Sequence, residues 1–106
     1  MSITGSFVFR DEGDGCLSSK YINRGLASPL VECSKINKRT TNEKFCGEYF
    51  SVWLDSPTDP NSSSLDISKN AGDFYDLTWT DLGGTIIYKG QGMLFGDLLV
   101  GCYWSI

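Results

Sequence analysis

Over most of this chain apolar and polar residues alternate one for one, the period of a strand with one face in a core. Ile3, Gly5, Phe7 and Phe9 share one face and Thr4, Ser6 and Arg10 the other, with Val8 the exception. The acidic, glycine-punctuated RDEGDG then turns the chain, and Leu17, Ser19 and Tyr21 open a second segment, predicting a hairpin. INRGLASP breaks the pattern again, and Val31 and Cys33 alternate with Glu32 and Ser34 in a third short strand that ends in the polar NKRTTNEK.

Residues 44–54, KFCGEYFSVWL, read two ways. Phe45, Tyr49 and Trp53 recur at helical spacing behind a capping TNEK, whereas Gly47 and the aromatic, β-branched composition favour a strand. The strand is the expectation, with an α+β fold carrying a helix near 42–53 as the alternative. DSPTDPNSSS, with Pro57 and Pro60, predicts the longest loop, and LDIS a short strand after it. An internal echo supports strands: GEYFSVW at 47–53 and GDFYDLTW at 72–79 share a glycine, an acid, two aromatics, an aliphatic and a Trp.

The last third is the clearest, a three-stranded meander. Tyr75, Leu77 and Trp79 alternate against Asp76 and Thr78, and DLGG turns. Ile86, Tyr88, Gly90, Gly92 and Leu94 then share a predicted interior face, opposite Thr85, Lys89 and Gln91, and FGD turns again. Leu98, Val100, Cys102 and Trp104 follow, against Gly101, Tyr103 and Ser105 on what reads as the exterior. Glycine weakens a strand unless the strand must bend or let a ring cross it. Gly90 and Gly92 therefore predict the crowded inner face of a small closed barrel.

Tyr75-x-Leu77-x-Trp79, Gly83-Gly84, Tyr88-x-Gly90-x-Gly92 and Leu98-Leu99-Val100-x-x-Tyr103 resemble small bacterial β-domains of the lipocalin and avidin type. The resemblance covers residues 72–104 and its motifs are structural. It implies an up-and-down barrel, sometimes with a pocket at one end. The avidin-type biotin contacts have no counterparts that can be placed in this chain. The fold expectation is all-β, one antiparallel barrel of seven or eight strands spanning residues 1–106, in which closure removes the exposed edges that short hydrophobic strands would otherwise present.

Composition narrows function by exclusion. The chain has 106 residues and a formal net charge of −4, which repels a phosphate backbone, so nucleic acid is not an expected partner. No apolar run reaches the length of a membrane span and no signal-like segment opens the sequence, so membrane association is not expected and the cytoplasm is. The four cysteines, Cys16, Cys33, Cys46 and Cys102, form no C-x-x-C pair and are expected as small buried thiols. There is no histidine, which removes the commonest general base and metal ligand. The carboxylates Asp11, Glu12 and Asp14 lie in a glycine turn. Asp59, Asn61, Ser63 and Asp66 have the start of a calcium-loop spacing, but Ser64 stands where that loop needs Gly and Asn70 where it needs a bidentate Glu. Lys89, beside the glycine pair, points outward. The expectation is a protein without catalytic residues, metal or cofactor.

Trp53, Trp79 and Trp104 recur at near-equal intervals, each near the end of an expected strand, where an up-and-down meander gathers them at one end. A non-enzymatic binder of a small hydrophobic or aromatic molecule follows, with Tyr49, Trp53, Tyr75, Trp79, Tyr88 and Trp104 as its contacts. The alternative is a protein-interaction or accessory module whose core is filled by its own side chains.

Overall fold

The computed structural model describes residues 2–56 and 59–106. Eight strands follow in chain order: β1 (Thr4–Gly13), β2 (Cys16–Asn23), β3 (Leu30–Lys38), β4 (Gly47–Ser56), β5 (Asp59–Lys69), β6 (Tyr75–Thr80), β7 (Ile86–Phe95) and β8 (Leu98–Ser105). Each pairs antiparallel with the next, and β8 pairs with β1 to close an up-and-down barrel. Residues 47–56 are strand, so the helical alternative does not hold: Gly47, Tyr49 and Ser51 are buried while Glu48, Phe50 and Val52 are exposed. Among the described residues no helix is long and apolar enough to cross a membrane.

Strand order puts the β1–β2, β3–β4, β5–β6 and β7–β8 connections at one end. This end is closed. Phe9, Leu65, Ile67, Tyr75, Leu77 and Leu99 fill the adjoining interior with almost no exposed surface. The β3–β4 connection folds Phe45 and Cys46 into the same core, Phe45 in a left-handed conformation (φ 72°). The Tyr49 O–H donates to the Phe45 carbonyl at 2.8 Å and ties this plug to β4.

Gly90 and Gly92 are buried on the inner face, as the sequence led us to expect. A Cβ at Gly90 would meet the Trp79 ring at 3.1 Å and the Phe7 ring at 3.3 Å, and one at Gly92 would meet the Val100 carbonyl oxygen at 2.8 Å and Phe7 again at 3.3 Å. Two rings thus lie against bare backbone.

Several local expectations are corrected. The loop expected at 55–64 is mostly β5, which begins at Asp59 and pairs Asn61, Ser62, Ser63 and Ser64 with Trp53, Val52, Ser51 and Phe50. Pro60 is tolerated because the pairing of β5 with β6 starts only at Ser64, so on that side the ring faces no ladder. Pro57 lies outside the described residues. In β7 a register shift between Trp79 and Thr80 turns Ile86 out to solvent and lets Ile87 pack on the core instead; Leu94, at the closed end, is also exposed.

The face of β8 is opposite to expectation. Leu99 and Tyr103 point inward, with Gly101 between them, whereas Cys102 and Trp104 are exposed. Directly paired residues project to the same side of a sheet, and the ladder pairs Phe9 with Leu99 and Gly92 with Gly101. Those inward partners decide the face. The cysteines are corrected too: all four are free thiols, but only Cys46 is buried, Cys16 being half-buried and Cys33 and Cys102 exposed.

Candidate ligand-binding cavity

Between the closed-end core and the far rim the interior is hollow. A cavity of about 670 Å³ opens at the end formed by the N-terminal residues, the β2–β3 turn and the rims of β4 and β6–β8. Its aromatic wall consists of Phe7, Tyr21, Trp53, Trp79, Tyr88 and Tyr103, and Asn23, Arg24 and Leu26 stand at the mouth.

These rings are the inward-facing residues in the open-end halves of β1, β2, β4 and β6–β8. Tyr103 is the hub, meeting Tyr21, Trp79 and Tyr88 edge-on with ring centroids 6.2, 6.3 and 5.8 Å apart. Phe7 meets Trp79 edge-on at 6.2 Å. Edge-to-face contacts of this kind hold rings in fixed attitudes. Hydrogen bonds fix them further. The Tyr21 O–H donates to the Leu54 carbonyl at 2.6 Å, the Asn23 side-chain amide donates to the Tyr103 oxygen at 2.8 Å, and the Tyr103 O–H reaches the Ile22 carbonyl at 3.3 Å. The wall is built before any ligand arrives.

On β2 to β5 the interior also carries polar groups. Glu32 is 5% exposed, and its carboxylate accepts the Trp79 indole N–H at 2.8 Å. Burial pushes its pKa from 4.5 up to about 7, against hydrogen bonds from Trp79 and Ser51 that pull it down. Its cross-strand partners are Ser19 on β2 and Trp53 on β4. One pair further in, the hydroxyls of Ser34 and Ser51 bond each other at 2.6 Å. Ser19 and Ser63 keep buried hydroxyls without a hydrogen-bond partner among the described residues. Four adjacent strands, β2 to β5, thus supply hydroxyls and a carboxyl where a filled barrel would carry aliphatic side chains.

Of the six side chains expected to form a site, Trp53, Trp79 and Tyr88 line the cavity. Tyr49 and Tyr75 do not; they belong to the closed-end core, where burial raises both phenols, Tyr49 to about 12. Trp104 stands at the open end but on the outer surface, 36% exposed, because the β8 ladder turns Tyr103 inward in its place. Phe7 and Tyr21 carried a legible signal, since each lies on the apolar face of its alternating segment. Glu32 carried none.

The other groups weighed in the sequence stand elsewhere. Glu12 is on the surface, paired with Arg10 at 2.8 Å and bonded by Ser18, and these contacts lower its pKa. Asn61, Ser63 and Asp66 lie on β5, with Ser63 turned into the barrel and Asp66 out. Lys89 points to solvent. Compared with known proteins, the chain matches no family model, no curated protein and no solved structure.

Proposed function

We propose that this protein is a non-enzymatic binder that holds a small hydrophobic or aromatic molecule in the open end of its barrel, in the manner of the lipocalin and avidin-type domains its last third resembles. One observation carries the reading: a cavity of about 670 Å³ walled by pre-positioned rings. That volume lies within the roughly 300–1,000 Å³ of pockets that enclose small organic ligands. The alternative of an interaction module needs an interior filled by its own side chains, and the cavity weighs against it. Four free thiols, two of them exposed, suit a reducing compartment, and we place the protein in the cytoplasm on that ground.

The test is a titration with N-phenyl-1-naphthylamine, a neutral aromatic probe whose fluorescence rises on leaving water. Saturable one-site binding is expected, weakened about tenfold or more by Trp53→Ala or Tyr88→Ala, since a desolvated ring contact is worth on the order of 1.4 kcal/mol. Trp104→Ala is expected to leave it unchanged. Absence of saturable binding, or an equal loss in the Trp104 variant, sinks the reading.

A further inference from the structure

A pocket for a purely apolar molecule has no use for a carboxyl group. Burying one costs free energy unless it is paired, and an amide would accept the Trp79 N–H equally well. Glu32 is nonetheless the sole carboxylate lining the cavity among the described residues, nine-tenths and more buried, on the wall facing Phe7, Trp79 and Tyr103. The rings it faces have electron-rich faces that attract cations. A carboxylate and several aromatic rings lining one cavity make up the chemistry that selects an organic cation over its neutral counterpart.

We propose that the ligand of this cavity is a cationic amine bearing an apolar or aromatic body, its ammonium group paired with Glu32 and its body packed against Trp79, Tyr88 and Tyr103. The inference rests on the reading of the cavity as a small-molecule site. It supplies the charge that Glu32 lacks, and it fits an interior in which Glu32 stands among rings from β1, β2, β4 and β6–β8. The net charge of −4 adds a field that draws cations toward the protein. Arg24, exposed at the mouth, is the cation among the described lining residues, and it sits at the rim rather than beside Glu32.

Binding is then linked to a proton. Burial holds the Glu32 carboxyl partly protonated near neutral pH, and a cation beside it favours the ionised form, so uptake of the amine releases a proton. The charged or titratable groups sharing the cavity are the phenols of Tyr21 on β2, Tyr88 on β7 and Tyr103 on β8 and the guanidinium of Arg24 at the rim. Ser51 and the Trp79 indole complete the surroundings of the carboxyl and do not titrate near neutral pH.

Three probes with one ring system separate the possibilities: 1-naphthylmethylamine, 1-ethylnaphthalene and 1-naphthylacetate, each competing against N-phenyl-1-naphthylamine. At pH 8 the ammonium compound is expected to bind at least about tenfold more tightly than the hydrocarbon, with the carboxylate weakest. Lowering the pH from 8 to 5.5 is expected to weaken the ammonium by up to about tenfold per unit below the carboxyl's pKa, while the hydrocarbon's affinity holds. Glu32→Gln is expected to abolish the preference and its pH dependence and still bind the hydrocarbon, which certifies that the variant is folded. A hydrocarbon that binds as tightly as the ammonium, a carboxylate that binds best, or a preference that survives in Glu32→Gln overturns the proposal, while binding of the neutral fluorophore leaves the broader reading standing. If the fluorophore itself does not bind, both fall together.

Discussion

Gly92 and Gly101 face each other across β7 and β8 with no side chain between them. Added atoms there meet obstacles of different hardness. At Gly92 a Cβ meets Leu99 at 3.2 Å and Phe7 at 3.3 Å, side chains that yield in part, besides the Val100 carbonyl oxygen at 2.8 Å. At Gly101 it runs into the Gln91 carbonyl oxygen and stands 2.6 Å from the Gly92 Cα, so the ladder itself must part. Overpacking typically costs about 1–3 kcal/mol. Gly92→Val is expected to lose that much in a urea melt and Gly101→Val more; an equal or smaller loss at Gly101 means that it is not an inward position. Glu32 carries a pH-dependent cost of its own. Its folded-state pKa of about 7 lies above the ordinary 4.5, so between these values the folded chain holds a proton that the unfolded chain has released. Stability is therefore lost as pH rises through that window, and the full cost stands above pH 7. A shift of this size corresponds to on the order of 3 kcal/mol. Glu32→Gln is expected to be more stable than the parent by that order at pH 8 and nearly equal to it at pH 4, read from melts at the two values. A variant less stable than the parent at pH 8 contradicts a strained carboxylate. Thiol reactivity follows exposure: in native protein a maleimide is expected to label Cys33 and Cys102 rapidly and Cys46 only on unfolding, resolved by peptide mapping.

At the scale of elements, what was legible is what period and bulk determine together. Tyr49 with Trp53 on β4 and Tyr75 with Trp79 on β6 repeat one arrangement, a tyrosine set in the closed core and, four residues toward the rim, a tryptophan at the cavity. The faces of β6 could be assigned from sequence, because its large rings fall on one side, whereas in β4 Phe50 puts a ring on the outer face as well. In β8 the faces could not be assigned. Leu98, Leu99 and Val100 put apolar bulk on both faces, and Tyr103 and Trp104 do the same, so only the pairing with Phe9 and Gly92 selects Leu99 and Tyr103 as inward. β3 is harder still, since binary patterning alone puts Val31 and Cys33 in the core. Pairing of Ser34 with Ser51 and of Glu32 with Trp53 ties β3 to a neighbour whose face is already fixed, and the polar side goes in. The site was thus readable through its tryptophans and unreadable in the residue that gives it charge. The plug between β3 and β4 makes its own prediction. Phe45 is 1% exposed, and its backbone carbonyl accepts the Tyr49 O–H. Tyr49→Phe leaves that buried carbonyl without its partner, for about 1–2 kcal/mol. Phe45→Ala removes the ring and opens the closed end, for about 3–5 kcal/mol. Losses in the reverse order would mean that the hydrogen bond, not the ring, seals the barrel.

Taken whole, the barrel has two ends of unequal cohesion on one continuous set of strands. Toward the closed end Phe9, Phe45, Leu65, Ile67, Tyr75, Leu77 and Leu99 exclude water almost completely; toward the open end the same strands enclose a hollow lined by aromatic rings and Glu32. Buried apolar area is what resists opening, at roughly 25 cal/mol per Å², and the open end has exchanged much of it for space. A hollow is a cost to stability and a condition of binding, so the difference between the ends should be visible without any ligand. Native-state hydrogen exchange under increasing denaturant reads it directly, because amides freed by local opening respond weakly to denaturant and those freed by global unfolding respond steeply. Amides in segments 7–10, 64–67, 76–78 and 98–100 are expected to exchange through global unfolding. Those in 20–23, 52–54, 86–88 and 103–105 are expected to exchange at lower free energy through openings of the rim, although closure by β1 and β8 leaves every strand paired on both sides over much of its length. Equal exchange free energies at the two ends would mean that ladder closure alone sets the stability of this barrel and that the cavity costs it nothing.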